Sequence, residues 1–234
     1  MAGEAAGLRI NIGKTKTMVF GSETIQQQMK VGNIELENVT EFEYLGSLLT
    51  WNNDCGKEIR KRIAKALGAM AGFKNIWTSR EISIATKLSV LRTCIFSILL
   101  YACESWTLRK QDRDKLMAFE MRCYRRILHI RWQQKITNVE VRRRVKCKRN
   151  ILQTVTERKL NFFGDICRMN NTRLIKQVVF GMIDGTGIRG RPSREWLDDI
   201  KEWCQMDVHS ASILAQSRTE WRHFVGCVVD TNGH

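Results

Sequence analysis

After Asp54 the spacing of apolar residues changes, and it does not change back. Ile59, Ile63, Leu67 and Met70 recur every three or four positions, with Arg60, Lys61 and Lys65 between them. That is the period of a helix with one buried face. Thr78-Ser79-Arg80-Glu81 reads as a capping box opening a second helix that runs to about Leu108. A third helix carries Leu116, Phe119, Cys123, Ile127 and Ile130 on one stripe and Arg122, Arg125, Arg126 and His129 on the next, with Tyr124 beside them as a candidate stacking aromatic. A connector, "RWQQKITN" (131–138), leads to a further box at Thr137-x-x-Glu140. Beyond it come a basic helix, a helix with Leu160, Phe163 and Ile166, a Gly-rich break at 181–193, and two amphipathic segments. The first of these carries Trp196, Ile200 and Trp203, the second Leu214, Trp221 and Phe224. Pro192, the one proline, falls at or near the first helical position after the break, where it costs least.

The first fifty residues read as strands. "LRINI" and "TKTMVF" flank Gly13-Lys14, "QQMKV" and "IELEN" flank Gly32-Asn33 as in a tight hairpin, and "FEYLGSLLT" (42–50) is a further extended segment. Gly13-Lys14-Thr15 is not a P-loop. That loop needs four residues between its first Gly and the Gly-Lys pair, whereas five separate Gly7 from Gly13, and they alternate apolar and polar. The fold expected is α+β: small N-terminal antiparallel hairpins followed by a mainly helical region.

Charge narrows the function more than composition does. With 43% hydrophobic and 27% charged residues the chain can bury a core. Its 39 Lys and Arg against 24 Asp and Glu give a formal +15, which favours polyanionic partners. MAGEAAGLRI has no secretory pattern, and the most apolar run, "CIFSILLYAC" (94–103), is about half the length of a bilayer span and reads as a buried helix. The expectation is an intracellular protein of nucleus or cytoplasm, neither secreted nor membrane-bound. The eight cysteines show no metal-ligand spacing and read as reduced, with Cys123, Cys167 and Cys204 on apolar helical positions.

"GLRINIGKTKTMVFG", "EYLGSLL", "LYACESWTL", "AFEMRCYRRILHI", "KLNFFGDICRM" and "RGRPSREWLDDIKEW", in that order, resemble the C-terminal region of reverse transcriptases of non-LTR, LINE-type retrotransposons, closest to the RTE-like kind. The resemblance implies three regions: a palm remnant with motifs D and E (1–53), thumb-like helices (54–132) and a basic helical C-terminal region (133–234). It places Lys14 at the motif D lysine, near the leaving pyrophosphate, where an ammonium acts as general acid. A solvated lysine at a strand turn is the plainer reading. Tyr44, Leu45 and Gly46 match motif E, the hairpin that grips a primer end. One position departs from the pattern. The family's Phe-Phe-Gly-His-Ile has its His where this chain has Asp165, inverting the local charge.

Polymerisation in that family needs two Mg²⁺ ions held by aspartates upstream of motif D. The Asp-Asp pair of this chain, Asp198-Asp199, is flanked by helical periodicity and reads as part of a solvated helix face. The expectation is therefore a catalytically incomplete fragment, not an enzyme, without a cofactor of its own. RNA, DNA and a full-length retroelement protein are the implied partners. The expected contacts are Arg122, Arg125 and Arg126, then the run Arg142, Arg143, Arg144, Lys146, Lys148 and Arg149, then Arg189 and Arg191 beside Gly190-Pro192, a pattern like a minor-groove hook. The competing readings are a solvated helix face for the first group, a nuclear-localisation patch for the run, and a loop leading into the Trp196 helix for the last. Of the tryptophans, Trp132 in the basic connector is the one suited to stacking on a base. Two other classes stay open: a helical protein-interaction module, and a translated retroelement fossil without selected activity. Apolar surface left uncovered by truncation would support either of these, and it would favour self-association.

Overall fold

A computed structural model describes residues 7, 10–20, 29–147, 149–181 and 194–231. The fold is α+β and mainly helical. The chain divides into two compact units, Met1–Arg60 and Lys61–His234.

Among the described residues the first unit holds three two-stranded pairings. β2 (Lys30–Val31) and β3 (Ile34–Glu35) form the expected hairpin, with Gly32 at φ 62° in its turn and Lys30 3.0 Å from Glu35. β5 (Glu41–Tyr44) and β6 (Ser47–Thr50) are antiparallel with Tyr44 opposite Ser47, so the "FEYLGSLLT" segment is a hairpin rather than one extended run. Its two-residue turn, Leu45-Gly46, has φ 48° and 82°, the doubly positive geometry of a type I′ turn. The glycine adopts it without strain, while Leu45 is an unusual residue there.

The Gly13-Lys14 region differs from expectation. Ile10 and Asn11 are unpaired, Leu8 and Arg9 lie outside the described residues, and Asn11 closes a turn instead. Its carbonyl accepts from the N–H of Lys14 (3.1 Å) and Thr15 (2.9 Å), and its Oδ1 accepts from Lys14 N–H as well (3.2 Å). An Asn that gathers nearby backbone donors in this way competes with strand formation. β1 (Lys16–Thr17) then pairs in parallel with β4 (Glu37–Asn38), which no local pattern announces.

Helix α1 (Cys55–Gly72) begins in the first unit and runs into the second, as the spacing from Ile59 requires. α2 (Lys74–Thr78) is short and α3 is Ile84–Val90. The box expected at Thr78–Glu81 is absent. Lys87 Nζ donates to the carbonyls of Trp77 (3.0 Å) and Ser79 (2.7 Å), closing α2, and Ser83 is the residue that caps α3 by accepting from Thr86 N–H at 3.1 Å. α3 continues through a π-helical stretch, Leu91–Phe96, to a last α turn at Ser97–Leu99 and a 3₁₀ turn at Cys103–Ser105. The buried helix expected at 94–103 is thus buried but broken.

α4 (Lys110–Ile127), α5 (Asn138–Val145), α6 (Ile151–Arg168), α7 (Leu174–Phe180), α8 (Trp196–Cys204), α9 (Val208–Leu214) and α10 (Arg218–Thr231) complete the second unit. α6 is its spine, packing on α10, the 3₁₀ turn, α4 and α7. Asn150 and Gln153 form a reciprocal capping box at its start (2.8 Å each way), and Gln153 Nε2 also donates to Val229 O of α10. Leu160, Phe163 and Ile166 are fully buried as expected. All eight cysteines are free thiols, and burial pushes those of Cys103, Cys123 and Cys204 up to about 12.

Three of the ordered sequence pieces meet at one buried point. Lys159 of "KLNFFG" lies 2.6 Å from Asp199 of "EWLDDIKEW", and both side chains are wholly buried. Lys159 Nζ also donates to Trp106 O (2.7 Å), and Leu108 N–H donates to Asp199 Oδ2 (3.0 Å), both in "ESWTL". Trp196 Nε1 donates to Glu104 O at 2.8 Å, and the Trp196 and Trp203 rings face the ammonium at 4.8 and 5.5 Å. Asp199 is therefore a core residue, correcting the solvated face expected for the Asp-Asp pair. It lies three positions after Trp196 and four before Trp203, on the apolar stripe itself.

Candidate nucleic-acid interface

Between residues 122 and 149 the sequence carries eleven lysines and arginines against one acidic residue, Glu140. α4, α5 and the start of α6 hold this segment. Arg125 Nη2 donates to Ile136 O (3.0 Å), bracing the connector against α4. Arg142 lies over α4, with Nη2 3.8 Å from Met117 Sδ. Thr137 caps α5 by accepting from Glu140 N–H at 3.3 Å.

The expected contact residues divide by what already engages them. Arg143 and Arg144 share Glu140, with nitrogen–oxygen distances of 2.7 to 2.9 Å, so the Glu140 side chain serves these arginines rather than a capping box. Their guanidinium groups hold the Glu140 carboxyl down at about 2. Arg149 Nη1 donates to both Glu157 carboxylate oxygens, at 2.8 and 2.9 Å. Arg125 is half-buried, and Arg142 Nε is buried with no hydrogen-bond partner among the described residues. Arg122, Arg126 and Lys146 are exposed, and no ion pair or hydrogen bond engages their side chains among the described residues. Tyr124, expected beside the stripe as an aromatic contact, is buried. It lies four positions after Glu120 and three before Ile127, on the core face, and its hydroxyl donates to Glu120 Oε1 at 3.2 Å. Lys148, Arg189 and Arg191 lie outside the described residues, as do Pro192 and most of the 181–193 break.

An open cleft of about 610 Å³ adjoins this segment, lined in part by Arg92, Phe96, Glu120, Tyr124, Lys146 and Arg149. Arg92 is exposed at the π-helical stretch and was not legible as part of a basic face. Glu120 lines the cleft, its Oε1 accepting from the Ile151 N–H of α6 at 2.9 Å and its Oε2 unpaired among the described residues. It follows Leu116 by four and precedes Cys123 by three, so the spacing alone puts it among buried residues. Burial raises its carboxyl to about 7, opposed by the Ile151 N–H, Arg142 and Tyr124.

Because this pKa is raised from 4.5, its contribution to stability is fully present below pH 4.5 and is lost as the pH climbs through about 7. Wild-type protein is expected to lose about 2 kcal/mol more than Glu120→Gln between pH 5 and pH 8. Urea unfolding of both proteins across that range measures the difference. Parallel pH profiles would show that Glu120 ionises freely.

In the first unit Lys14 is exposed on the Asn11 turn, and Tyr44 and Leu45 are exposed at the tip of the β5–β6 hairpin, with Gly46 beside them. The aspartates of α8 do not fit a metal centre. Asp199 oxygens accept from Lys159, Leu108 N–H and Arg194, and Asp198 Oδ2 accepts from Glu195 N–H at 2.8 Å. Among the described residues no cluster of three or more His, Cys, Asp or Glu could hold a metal ion, and no helix is long and apolar enough to cross a membrane.

No family model matches the chain, and no solved structure matches it. A Caenorhabditis elegans protein described as transposon-derived and uncharacterized is 26% identical over 235 residues, covering 92% of this chain and 81% of that protein.

Proposed function

We propose that the chain derives from a transposon and binds RNA or DNA through the basic segment of α4, α5 and the start of α6, without polymerising. The observation that carries this is the concentration of cations between 122 and 149, where the one carboxylate is already shared by two arginines. Arg122, Arg126 and Lys146 then remain to meet phosphates, with Arg92 across the cleft. The similarity to a transposon-derived protein across nearly the whole chain supports the origin. The finer reading is a non-LTR reverse-transcriptase region with a palm remnant, thumb-like helices and a basic C-terminal region. It rests on the order of the six sequence pieces and on the hairpin at Tyr44-Leu45-Gly46. In that reading Lys14 is a vestige of motif D.

One experiment covers binding and chemistry together. The purified chain, given a primed RNA template, deoxynucleotides and Mg²⁺ or Mn²⁺, is expected to retard the template in a gel and to extend no primer. Extension would overturn the non-catalytic reading, and an unretarded template the binding one.

A docking role has an observation of its own. In α7 the polar side chains face the body of the unit. Lys176 Nζ donates to Cys167 O (2.7 Å) and Met169 O (2.8 Å), and Gln177 Nε2 donates to Asn171 O, while Leu174 and Val178 are exposed. Concentration-dependent self-association of the purified chain, without template retardation, would put this reading first.

A further inference from the structure

Trp132 is 83% exposed, whereas the other six tryptophans are buried or half-buried. That leaves a large aromatic face open to a partner. The indole is also held in place. It opens the 3₁₀ turn Trp132–Gln134, in which Arg131 N–H donates to Gln134 Oε1 (3.0 Å), Gln134 N–H to Arg131 O (3.1 Å) and Lys135 N–H to Trp132 O (3.2 Å). The backbone reverses through left-handed geometry on each side, at His129 (φ 54°) and Lys135 (φ 47°). Ile130 N–H bonds back to Arg125 O (2.9 Å), and the Arg125 side chain holds Ile136 O on the far side. The indole therefore projects from a turn braced at both ends.

Its surroundings select the occupant. Arg126, His129, Arg131 and Lys135 are all exposed, and within the turn the neighbours of Trp132 are Arg131, Gln133, Gln134 and Lys135. A tryptophan that anchors a protein partner is normally ringed by apolar contacts that exclude water, and this turn offers none. A flat aromatic face flanked by cations suits a base stacked between phosphates. In a continuous duplex the base faces cover one another, so the partner is a strand with unpaired bases.

We propose that Trp132 is the stacking platform for one unpaired base of a single-stranded nucleic acid, with Arg126, Arg131 and Lys135 meeting the neighbouring phosphates. This rests on the nucleic-acid reading above and narrows it to single strands.

The test compares the full-length wild type with Trp132→Ala and Trp132→Phe, each binding a fluorescent single-stranded RNA and a relaxed, covalently closed circular DNA duplex, which has neither ends nor loops. Trp132→Ala is expected to weaken single-strand binding roughly tenfold to a hundredfold, the range for losing one stacked base. Trp132→Phe should retain most of the affinity, and duplex binding should be unchanged in both variants. Circular dichroism melts confirm folding, expected to be intact because the side chain is exposed. Single-strand affinity unaffected by Trp132→Ala would overturn the stacking role and leave the nucleic-acid reading standing. So would an equal loss on strand and duplex, or a phenylalanine variant no better than the alanine. A wild type that binds neither probe would overturn the nucleic-acid reading, and the platform with it.

Discussion

Asp199→Ala is expected to destabilise the helical unit by roughly 3–5 kcal/mol, the cost of stranding one member of a buried ion pair. The substitution removes the carboxylate from beside the fully buried Lys159 ammonium, which keeps Trp106 O and the Trp196 and Trp203 rings but no longer the Asp199 charge. It orphans the Leu108 N–H. It also releases Arg194, whose fork on Asp199 and bond to Glu202 hold the start of α8. The double variant Lys159→Met/Asp199→Ala should lose less than Asp199→Ala alone, because no charge is left stranded. Urea midpoints for the wild type, the two single variants and the double form a mutant cycle that isolates the coupling. A loss below about 1 kcal/mol for Asp199→Ala would mean that water reaches the pair and that it holds nothing together. In this chain "ESWTL", "KLNFFG" and "EWLDD" are three sides of one structural contact.

Gly164→Ala is expected to cost about 3 kcal/mol, at the upper end for overpacking a core. A methyl group there would sit 2.4 Å from Trp221 Nε1 and 2.5 Å from its Cδ1. The indole has little room to retreat: Nε1 donates to Leu160 O at 3.0 Å, and the ring lies 5.6 Å from that of Phe163. Either α6 and α10 separate or the tryptophan leaves its bond. The comparison is Gly68→Ala in α1, where nothing lies within 4 Å of an added methyl. There the gain in helix propensity should dominate, stabilising by about 0.5–1 kcal/mol. Thermal unfolding of both variants measures the contrast, and two shifts of the same sign would contradict the close approach of α6 and α10. The adjacent Asp165 takes an ion pair with Arg168 at 2.7 Å, while Arg168 Nη1 reaches Ala215 O.

The helices were legible because their burial follows a period that local sequence displays. Leu116, Phe119, Cys123 and Ile127 are on the core face of α4, as spacing requires. The charged residues that lie on such stripes were the ones misjudged. Asp199, placed at the surface in the sequence reading, occupies a stripe position in α8, and its partner Lys159 lies forty residues away on α6. No local pattern announces a pairing of that kind, although the stripe positions of Lys159, Asp199 and Glu120 mark them as buried. Tyr124 was misread in the same way, by following its arginine neighbours rather than its own three-and-four spacing. The parallel pairing of β1 with β4 and the π-helical stretch depend on contacts that residue types do not encode. At the proposed interface the cations were legible as a run. Their separation into engaged and unengaged groups was not, because it depends on where Glu140 and Glu157 fall.

The most direct measurement is equilibrium binding of the chain to a single-stranded RNA at about 50 and about 200 mM salt, beside the triple variant Arg122→Glu/Arg126→Glu/Lys146→Glu. About five phosphate contacts imply that wild-type affinity falls roughly a hundredfold across that range, and the variant should bind more weakly with a shallower salt dependence. Weak wild-type binding that is indifferent to salt, or a variant that binds as the wild type does, would contradict a nucleic-acid surface on α4, α5 and the start of α6.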